Sequence, residues 1–454
     1  MNSPARSGKT SRTMLWTLAC IAAAAVILAA YIVLGPGPTD FAGGKHVTLS
    51  GYREQDPTGV PAELKSASLI ERGEYLTHAA DCVACHTAEH GTPFVGGRAF
   101  VLPFGTLYST NITPDVETGI GRYTDGDFLD AMHKGIGRGN TRLYPAMPYA
   151  SYTYMSDADA LAIKAYLFTL KPVHSPALPN TLAFPFNQRN LMSVWSALFN
   201  PDTRYKPNIE RNAQWNRGAY LAEAMEHCGE CHTPRNVLFA LNNRKKFAGA
   251  VQTGWRAYNI TPDRSSGVGA WSDADLMHYL SAGHADGRGT ASGPMGEAVD
   301  ASLSYLKPSD ITAMVTYLRS VAAVATSDLP EVNPKPAPPL PAVSLAANVD
   351  GHGKAVYEGA CAGCHGWTGV SPVMPSATLT GMRAVNDPTA DNVAQVIIRG
   401  AQRHTSNGAA NMPAFGDAYS DAEIASVANY VTARFGTRGS ELTAANVAKL
   451  RRQD

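Results

Sequence analysis

The stretch C-V-A-C-H at residues 82–86 decides the fold of this 454-residue chain, because it recurs as C-G-E-C-H at 228–232 and as C-A-G-C-H at 361–365. Two thiols three positions apart on a helical turn can each add to one vinyl group of a porphyrin, and the histidine that follows then lies beneath the iron. The three copies predict three covalent haem c groups. The attaching cysteines are Cys82, Cys85, Cys228, Cys231, Cys361 and Cys364, and the proximal iron ligands are His86, His232 and His365.

Other uses of paired cysteines fit this sequence less well. A thioredoxin-like redox motif follows a strand in a βαβ unit, and no such pattern surrounds these pairs. A structural zinc site needs four ligands, whereas the pairs lie more than a hundred residues apart. Seven cysteines in 454 residues are too sparse for a disulfide framework. Haem attachment is therefore the interpretation that uses all three copies.

Length and charge restrict the classes of protein further. The chain is too long for one core, and both its length and its three motifs predict three domains. The 38 Lys and Arg residues balance the 38 Asp and Glu residues, so the formal net charge is zero. A large basic surface for nucleic acid is therefore not expected.

The N-terminal region carries a long apolar run at residues 14–34, after Arg6, Lys9 and Arg12. Its 21 residues are enough to cross a bilayer, and positive charge stays on the cytoplasmic side. We expect residues 1–40 to form a retained transmembrane anchor, with a cleaved secretory signal as the alternative. The predicted location is the bacterial inner (cytoplasmic) membrane, with the haem domains facing the periplasm, because haem c is attached outside the cytoplasm.

Internal repeats support the division into domains. R-G-E-Y-L at 72–76 recurs as R-G-A-Y-L at 217–221, and N-I-T-P-D at 111–115 recurs at 259–263. Each repeat also ends in an amphipathic helical pattern, which predicts small all-α domains. The predicted domains are 60–172, 210–322 and 349–437, joined by linkers at 173–209 and 323–348 and followed by a polar tail at 438–454. The second linker is rich in proline and predicts a stiff spacer, so the third domain is expected to stand apart from a tighter first pair.

The second axial ligand of each iron is predicted from a repeated spacing. Met147, Met295 and Met412 each lie twelve positions after a glycine, Gly135, Gly283 and Gly400, although the residues between them differ. We expect Met147, Met295 and Met412 to be sixth ligands, in loops ahead of the last helix of each repeat. The rival candidates are His284 and His404, which have no counterpart in the first repeat. Thioether ligation favours Fe(II) and a relatively high potential.

With Y-S-T-N-I-T-P-D at 108–115, L-Y-P-A-M-P-Y at 143–149 and the proline-rich spacer, the chain resembles a known family. It is similar to the three-haem cytochrome c subunits of membrane-bound periplasmic dehydrogenases, which include those for gluconate, sorbitol, fructose and alcohol. The resemblance covers residues 60–450. It implies three tandem class I cytochrome c domains and the cysteine, histidine and methionine roles given above. The N-terminal transmembrane helix expected from residues 14–34 departs from the family, which often has a cleaved N-terminal signal or membrane attachment near the C-terminus.

The resemblance also implies a division of labour. A catalytic flavoprotein or quinoprotein dehydrogenase, with or without a small subunit, oxidises a sugar, sugar acid or alcohol, and this subunit passes the electrons to membrane ubiquinone. We find no convergent catalytic set of side chains, no dinucleotide motif and no Walker loop, so no catalytic residue is assigned. The alternatives are a cytochrome that feeds a terminal oxidase, and a multihaem peroxidase or reductase, which would need an open iron position.

Overall fold

The computed structural model describes residues 9–34, 61–200, 202–326, 351–405 and 408–453. Helix α1 spans Lys9–Leu34. Within the described ranges, none of the helices is long and apolar enough to cross a membrane. The prediction of a transmembrane helix ahead of the domains is therefore wrong. Of the three positive residues on which the predicted orientation depends, Arg6 lies outside the described ranges, and Lys9 and Arg12 lie in α1.

The elements of the first domain and of the segment after it run from residue 62 to residue 199. The helices are a 3-10 turn at Ala62–Leu64, α2 (Leu69–Ala79), α3 (Cys82–Cys85), α4 (Asp125–Lys134), α5 (Tyr149–Tyr152), α6 (Asp157–Leu167) and α7 (Leu191–Phe199). The strands are β1 (Ala99–Leu102) paired with β2 (Gly105–Tyr108), and β3 (Ile136–Gly137) paired with β4 (Thr141–Arg142).

The second domain repeats this order. Its helices are α8 (Ala213–Tyr220), a π-helical turn at Leu221–Met225, α9 (Gly229–His232), a 3-10 turn at Asn243–Lys245, α10 (Asp273–Ala282), α11 (Gly293–Ala301), a 3-10 turn at Leu303–Tyr305 and α12 (Pro308–Leu318). Its strands are β5 (Ala250–Gln252) paired with β6 (Trp255–Ala257), and β7 (His284–Ala285) paired with β8 (Gly289–Thr290).

The third domain has fewer elements. Its helices are α13 (Gly351–Val356), a π-helical turn at Tyr357–Cys361, α14 (Ala362–His365), a 3-10 turn at Pro375–Ala377, α15 (Asp391–Arg399), α16 (Asp421–Phe435) and α17 (Ala444–Arg451). Its strands β9 (Ala401–Thr405) and β10 (Gly408–Met412) form one hairpin. Helix α17 lies in the predicted polar tail, and Val447 and Leu450 are buried in the core of this domain.

The prediction of an all-α fold is also wrong, because the described residues contain five antiparallel two-stranded sheets. Three of these hairpins follow the glycines that end α4, α10 and α15. Gly135, Gly283 and Gly400 have φ between 63° and 73°, a left-handed backbone that glycine adopts without a steric cost. The chain therefore leaves each helix at a sharp angle, and strand pairing satisfies the backbone groups that the helix no longer pairs.

Each domain closes where its first helix crosses a later one, which is α6, α12 or α16. Gly73 of α2 touches the backbone of Ala162 in α6, and a Cβ at Gly73 would overlap that carbonyl group. Gly218 meets Ala313 in the same way, and so does Gly353 with Ser426. The glycine in the repeated R-G-x-Y-L motif is therefore required for close helix packing. The same crossing recurs in all three domains.

The first two domains share one hydrophobic core, and the third has a core of its own. The shared core is continuous from Leu76 and Ile163 in the first domain to Leu221 and Met314 in the second. Two buried hydrogen bonds cross this interface reciprocally. Tyr75 Oη donates to Asp310 Oδ2 at 2.6 Å, and Tyr220 Oη donates to Asp159 Oδ2 at 2.6 Å. The predicted tight pair is therefore one packed unit.

The third domain does not stand apart, contrary to the expectation from the proline-rich linker. It packs on the second domain through polar contacts. Asn392 accepts a hydrogen bond from Arg256 N at 2.8 Å and donates to Arg256 O at 3.0 Å. Asp387 pairs with Arg256 Nε at 3.0 Å and accepts from Tyr258 Oη at 3.1 Å. Most of the linker, residues 327–350, lies outside the described ranges.

Candidate haem sites

The paired cysteines lie at equivalent places in the three domains. Helix α3 spans Cys82–Cys85, while Cys228 and Cys361 directly precede α9 and α14. The i, i+3 spacing on a helical turn places both thiols of a pair on one face. All six cysteines are free thiols. Burial raises the pKa of Cys85 to about 12 and that of Cys361 to about 11, so these thiols are uncharged at neutral pH.

The histidine of each motif is held by a main-chain carbonyl group. Nδ1 of His86 lies 2.7 Å from Thr110 O, Nδ1 of His232 lies 2.6 Å from Tyr258 O, and Nδ1 of His365 lies 2.6 Å from Ala377 O. A carbonyl oxygen only accepts, so Nδ1 carries the proton and Nε2 keeps its lone pair for a metal. Burial lowers the pKa of all three imidazoles, which favours the neutral form that binds iron.

The repeated N-I-T-P-D motif positions two of these carbonyl groups. Asn111 and Asn259 directly follow Thr110 and Tyr258 in sequence. Asn111 Nδ2 donates to Val173 O at 2.7 Å, and its Oδ1 accepts from Thr113 N at 2.9 Å. Asn259 makes the equivalent bonds to Val324 O at 2.7 Å and Thr261 N at 2.8 Å. The buried asparagine therefore fixes the turn behind the histidine's acceptor and ties it to the segment that leaves the domain.

The three predicted methionines pack against the same cores as the cysteines. Met147 and Met295 are partly buried on the shared core together with Cys82 and Cys228, and Met412 is partly buried on the third core together with Cys361. Met147 and Met295 follow the hairpin that comes after the helix-ending glycine, and Met412 is the last residue of the corresponding hairpin. Only Met147 lies in a loop, since Met295 is the third residue of α11 and Met412 ends β10. The expectation of three loop methionines was wrong in this detail. The ligand role itself stays a prediction.

The histidines weighed as rival ligands divide into two cases. Both ring nitrogens of His284 have partners, with Nδ1 2.9 Å from Thr290 Oγ1 and Nε2 2.8 Å from Asp286 Oδ1. This imidazole is held by its own hairpin and has no free nitrogen that could bind iron. The side chain of His404 lies outside the described residues.

The donor set fits a covalent haem c better than a bare metal ion. Each domain offers the two thiols of its motif, a neutral imidazole with a free Nε2, and a methionine thioether on the same core. Within the described part of the chain, no group of three or more His, Cys, Asp and Glu side chains is arranged to hold a metal. When bound, haem c supplies an iron that is reduced and oxidised by one electron. The cysteines would hold the porphyrin, and the histidines and methionines would hold the iron.

Contacts between domains connect the sites. Helix α3 with the first cysteine pair packs against α11, which carries Met295. Arg98 Nη1 donates to Ala84 O in α3 at 2.7 Å, and Arg98 Nη2 pairs with Glu297 of α11 at 2.8 Å. On the other side, Thr290 Oγ1 donates to Ser376 O at 3.0 Å, next to the carbonyl group that holds His365. The second site is therefore linked to both of the others.

The sequence analysis missed the residues that hold the histidines and those that connect the sites. Thr110, Tyr258 and Ala377 act through main-chain oxygens, which leave no side-chain signal. The position of N-I-T-P-D directly after Thr110 and Tyr258 was the one available clue. Arg98 and Glu297 are too far apart in sequence to form a pattern.

Comparison with known proteins gives matches along most of the chain. The family model described as "Cytochrome c" matches residues 70–171, and the model described as "Cytochrome C oxidase, cbb3-type, subunit III" matches residues 349–431. The chain is 40% identical to the fructose dehydrogenase cytochrome subunit of Gluconobacter japonicus, over 88% of this chain and 86% of that one. It is 34% identical to the cytochrome c subunit of the alcohol dehydrogenase (quinone) of Gluconobacter oxydans, over 85% and 82% of the two chains.

A third relative is larger than this protein. A nicotinate dehydrogenase subunit of Pseudomonas putida is 40% identical over 82% of this chain, which spans only 30% of that protein's length. The two cytochrome subunits, by contrast, align over most of their length. The motifs, the histidine geometry and these alignments agree, and the chain belongs to the family of dehydrogenase cytochrome c subunits.

Proposed function

We propose that this protein carries three haem c groups and passes electrons from a catalytic dehydrogenase to ubiquinone. The observation that supports three groups is the threefold recurrence of one arrangement: two free thiols followed by a histidine whose Nδ1 is 2.6 to 2.7 Å from a carbonyl oxygen. The third copy is as complete as the first two. The proposed irons are held by His86 with Met147, His232 with Met295, and His365 with Met412.

The proposed partner is a flavoprotein or quinoprotein that oxidises a sugar, sugar acid or alcohol. The names of the relatives support a dehydrogenase partner, and one of those names includes a quinone. We place the haem domains in the periplasm, at the surface of the inner membrane where ubiquinone is reached. With both axial positions filled, each iron would exchange electrons rather than bind substrate.

The stoichiometry is tested by a pyridine haemochrome assay on purified protein after acid-acetone extraction. Covalent attachment at three motifs predicts about three haems per chain that resist extraction, one for each C-x-x-C-H. A Cys361→Ala, Cys364→Ala variant should retain about two. A value of two for the unaltered protein would contradict the proposal, and the double variant would then show whether the third motif is the one left empty.

The role in electron transfer is tested with the co-purified dehydrogenase. Substrate should reduce the haems of the complex, and adding a ubiquinone analogue should reoxidise them. Reduced protein should give no carbon monoxide difference spectrum, because no axial position is open. A strong carbon monoxide spectrum would instead favour a peroxidase or reductase.

A further inference from the structure

Helix α11, which begins two residues before Met295, is held from both neighbouring domains. Glu297 in its second turn pairs with Arg98 of the first domain at 2.8 Å. Asp300 in its last turn pairs with Arg403 of the third domain, with Arg403 Nη2 2.7 Å from Asp300 Oδ1. One short helix therefore receives an arginine from each side. The arginine of the second contact also binds the segment just before this helix.

The Arg403 guanidinium forms hydrogen bonds to the chain on both sides of Met295. Its Nε lies 2.9 and 3.0 Å from the two carboxylate oxygens of Asp300, five residues after the methionine. Its Nη1 donates to the carbonyl oxygen of Ala291 at 2.9 Å, four residues before the methionine. The Arg403 side chain is 6% exposed, so these charge-assisted bonds are shielded from water. Movement of the segment that carries Met295 would break several of them together.

The Arg403 side chain is closely packed between Gly283 and Gly296. A Cβ at Gly283 would overlap its guanidinium group, and a Cβ at Gly296 would lie 3.3 Å from its Cδ. Gly283 starts the path to Met295, which lies twelve residues further along the chain. The arginine therefore fills a slot between the start of that path and the helix at its end. Both walls of the slot are glycine.

Arg403 belongs to the hairpin that carries Met412. It lies in β9 opposite Ala410 of β10, and Met412 lies opposite Ala401 in the same ladder. The strand pairing fixes the position of Arg403 relative to Met412, while its side chain fixes the path to Met295. A single residue is thus shared by two methionine segments from different domains.

We infer that Arg403 is a positioning residue that couples the axial methionines of the second and third haem groups. The inference rests on the ligation proposed above and extends it. Holding the thioether at a fixed distance from the iron strengthens the sulfur–iron bond, and residues around a ligand tune the potential of its metal. Arginine is needed because its planar fork reaches a carboxylate and a carbonyl group at once, which a lysine ammonium does not.

The test compares Arg403→Ala, Arg403→Lys and Asp300→Asn by spectropotentiometric titration of the complete complex. We expect Arg403→Ala to weaken the ferric sulfur-to-iron charge-transfer band and to lower the potentials of two haems, leaving the third unchanged. Arg403→Lys should fall between this variant and the unaltered protein. Asp300→Asn preserves the packing, so it gives the answer if the alanine variant does not fold.

The matched control is Asn392→Ala, which removes hydrogen bonds from the same domain interface without touching either methionine segment. It should lower the melting temperature and leave the potentials unchanged. If Arg403→Ala, or Asp300→Asn in its place, gives the same result as this control, Arg403 is only an interface residue and the inference fails. Met295→Ala separates this failure from failure of the proposed ligation, because only the latter would leave the charge-transfer band unchanged in Met295→Ala.

Discussion

At the residue scale, the three histidine–carbonyl contacts carry the chemical argument. A cysteine pair followed by histidine can be read from the sequence, but the tautomer of the imidazole cannot. The hydrogen bonds from Nδ1 of His86, His232 and His365 supply that information and leave Nε2 free in each case. The same donor atom, the same type of acceptor and a distance of 2.6 to 2.7 Å in all three domains make a chance contact untenable.

The axial role of Met412 can be tested by substitution with alanine. The thioether bonds and His365 would still hold the haem, so the haem content should not change. Loss of the sulfur ligand should remove about one third of the charge-transfer band and lower the potential of one haem. Met382→Leu is the control, because Met382 is 5% exposed in the same core and is not a predicted ligand. An unchanged band in Met412→Ala would identify Met412 as a core residue.

Because the His133 imidazole is buried, we expect the protein to lose stability in mild acid. Burial and the Arg204 guanidinium lower the pKa of this imidazole from 6.5 to about 3, although Asp157 Oδ1 is 3.6 Å from Nδ1. The unfolded chain therefore takes up the proton first. The stabilisation is complete above about pH 6.5 and is lost as pH falls towards 3, by up to about 1.4 kcal/mol for each pH unit.

Urea unfolding of the wild type and of His133→Gln at several pH values measures this effect. The variant should be less stable at neutral pH and less sensitive to acid below about pH 6.5. His90→Gln is the matched control, because the His90 side chain is 88% exposed. Equal acid sensitivity of wild type and His133→Gln would show that another group controls the transition.

At the scale of secondary-structure elements, the reciprocal tyrosine–aspartate bonds hold α2 and α8 in register with the opposite domains. Asp310 accepts from Tyr75 of the first domain and from Arg217 of its own domain, with Arg217 Nη2 at 2.7 Å. Asp159 accepts from Tyr220 of the second domain and pairs with Arg72 of its own. Each buried carboxylate is thus neutralised within its domain and oriented by the other one.

Removing one of these hydroxyl groups should weaken the pair of domains. Tyr75→Phe preserves the ring, removes the hydrogen bond to Asp310 Oδ2, which keeps Arg217, and leaves Lys307 N without the hydroxyl oxygen that accepts from it, at a cost of about 1–3 kcal/mol in unfolding free energy. Urea denaturation followed by far-ultraviolet circular dichroism measures the change. Tyr305→Phe, at a side chain that is 52% exposed, should cost much less. Equal effects of the two substitutions would mean that the bond to Asp310 contributes no net stability.

The secondary-structure elements show which local features could be predicted from the sequence. The spacing from Gly135, Gly283 and Gly400 to the methionines follows from a helix end, a hairpin and a return to the core, although the sequence analysis predicted only loops. The hairpins were missed because strands of two to five residues are too short for a recognisable alternation. The apolar run at 14–34 predicted a transmembrane helix from composition alone, which the described structure does not support.

At the scale of the whole molecule, the arrangement of the domains was the least predictable feature. A proline-rich linker favours separation, but the side chains of Arg403 and Asp300, 103 residues apart in sequence, bring the third domain onto the second. Such contacts carry no local period and cannot be found from one sequence. The interface inside the first pair is a continuous apolar core, whereas the contacts named here between the second and third domains are polar.

This difference predicts two units of local unfolding. Leu221 and Ile424 are both fully buried, Leu221 in the shared core and Ile424 in the third. Leu221→Ala should cost about 2–5 kcal/mol and raise hydrogen–deuterium exchange in the first domain as well as the second, because one core spans both. Ile424→Ala should raise exchange in α15, α16 and α17 and leave α2 and α6 as in the wild type. Faster exchange confined to the second domain in Leu221→Ala would show that the first two domains unfold separately.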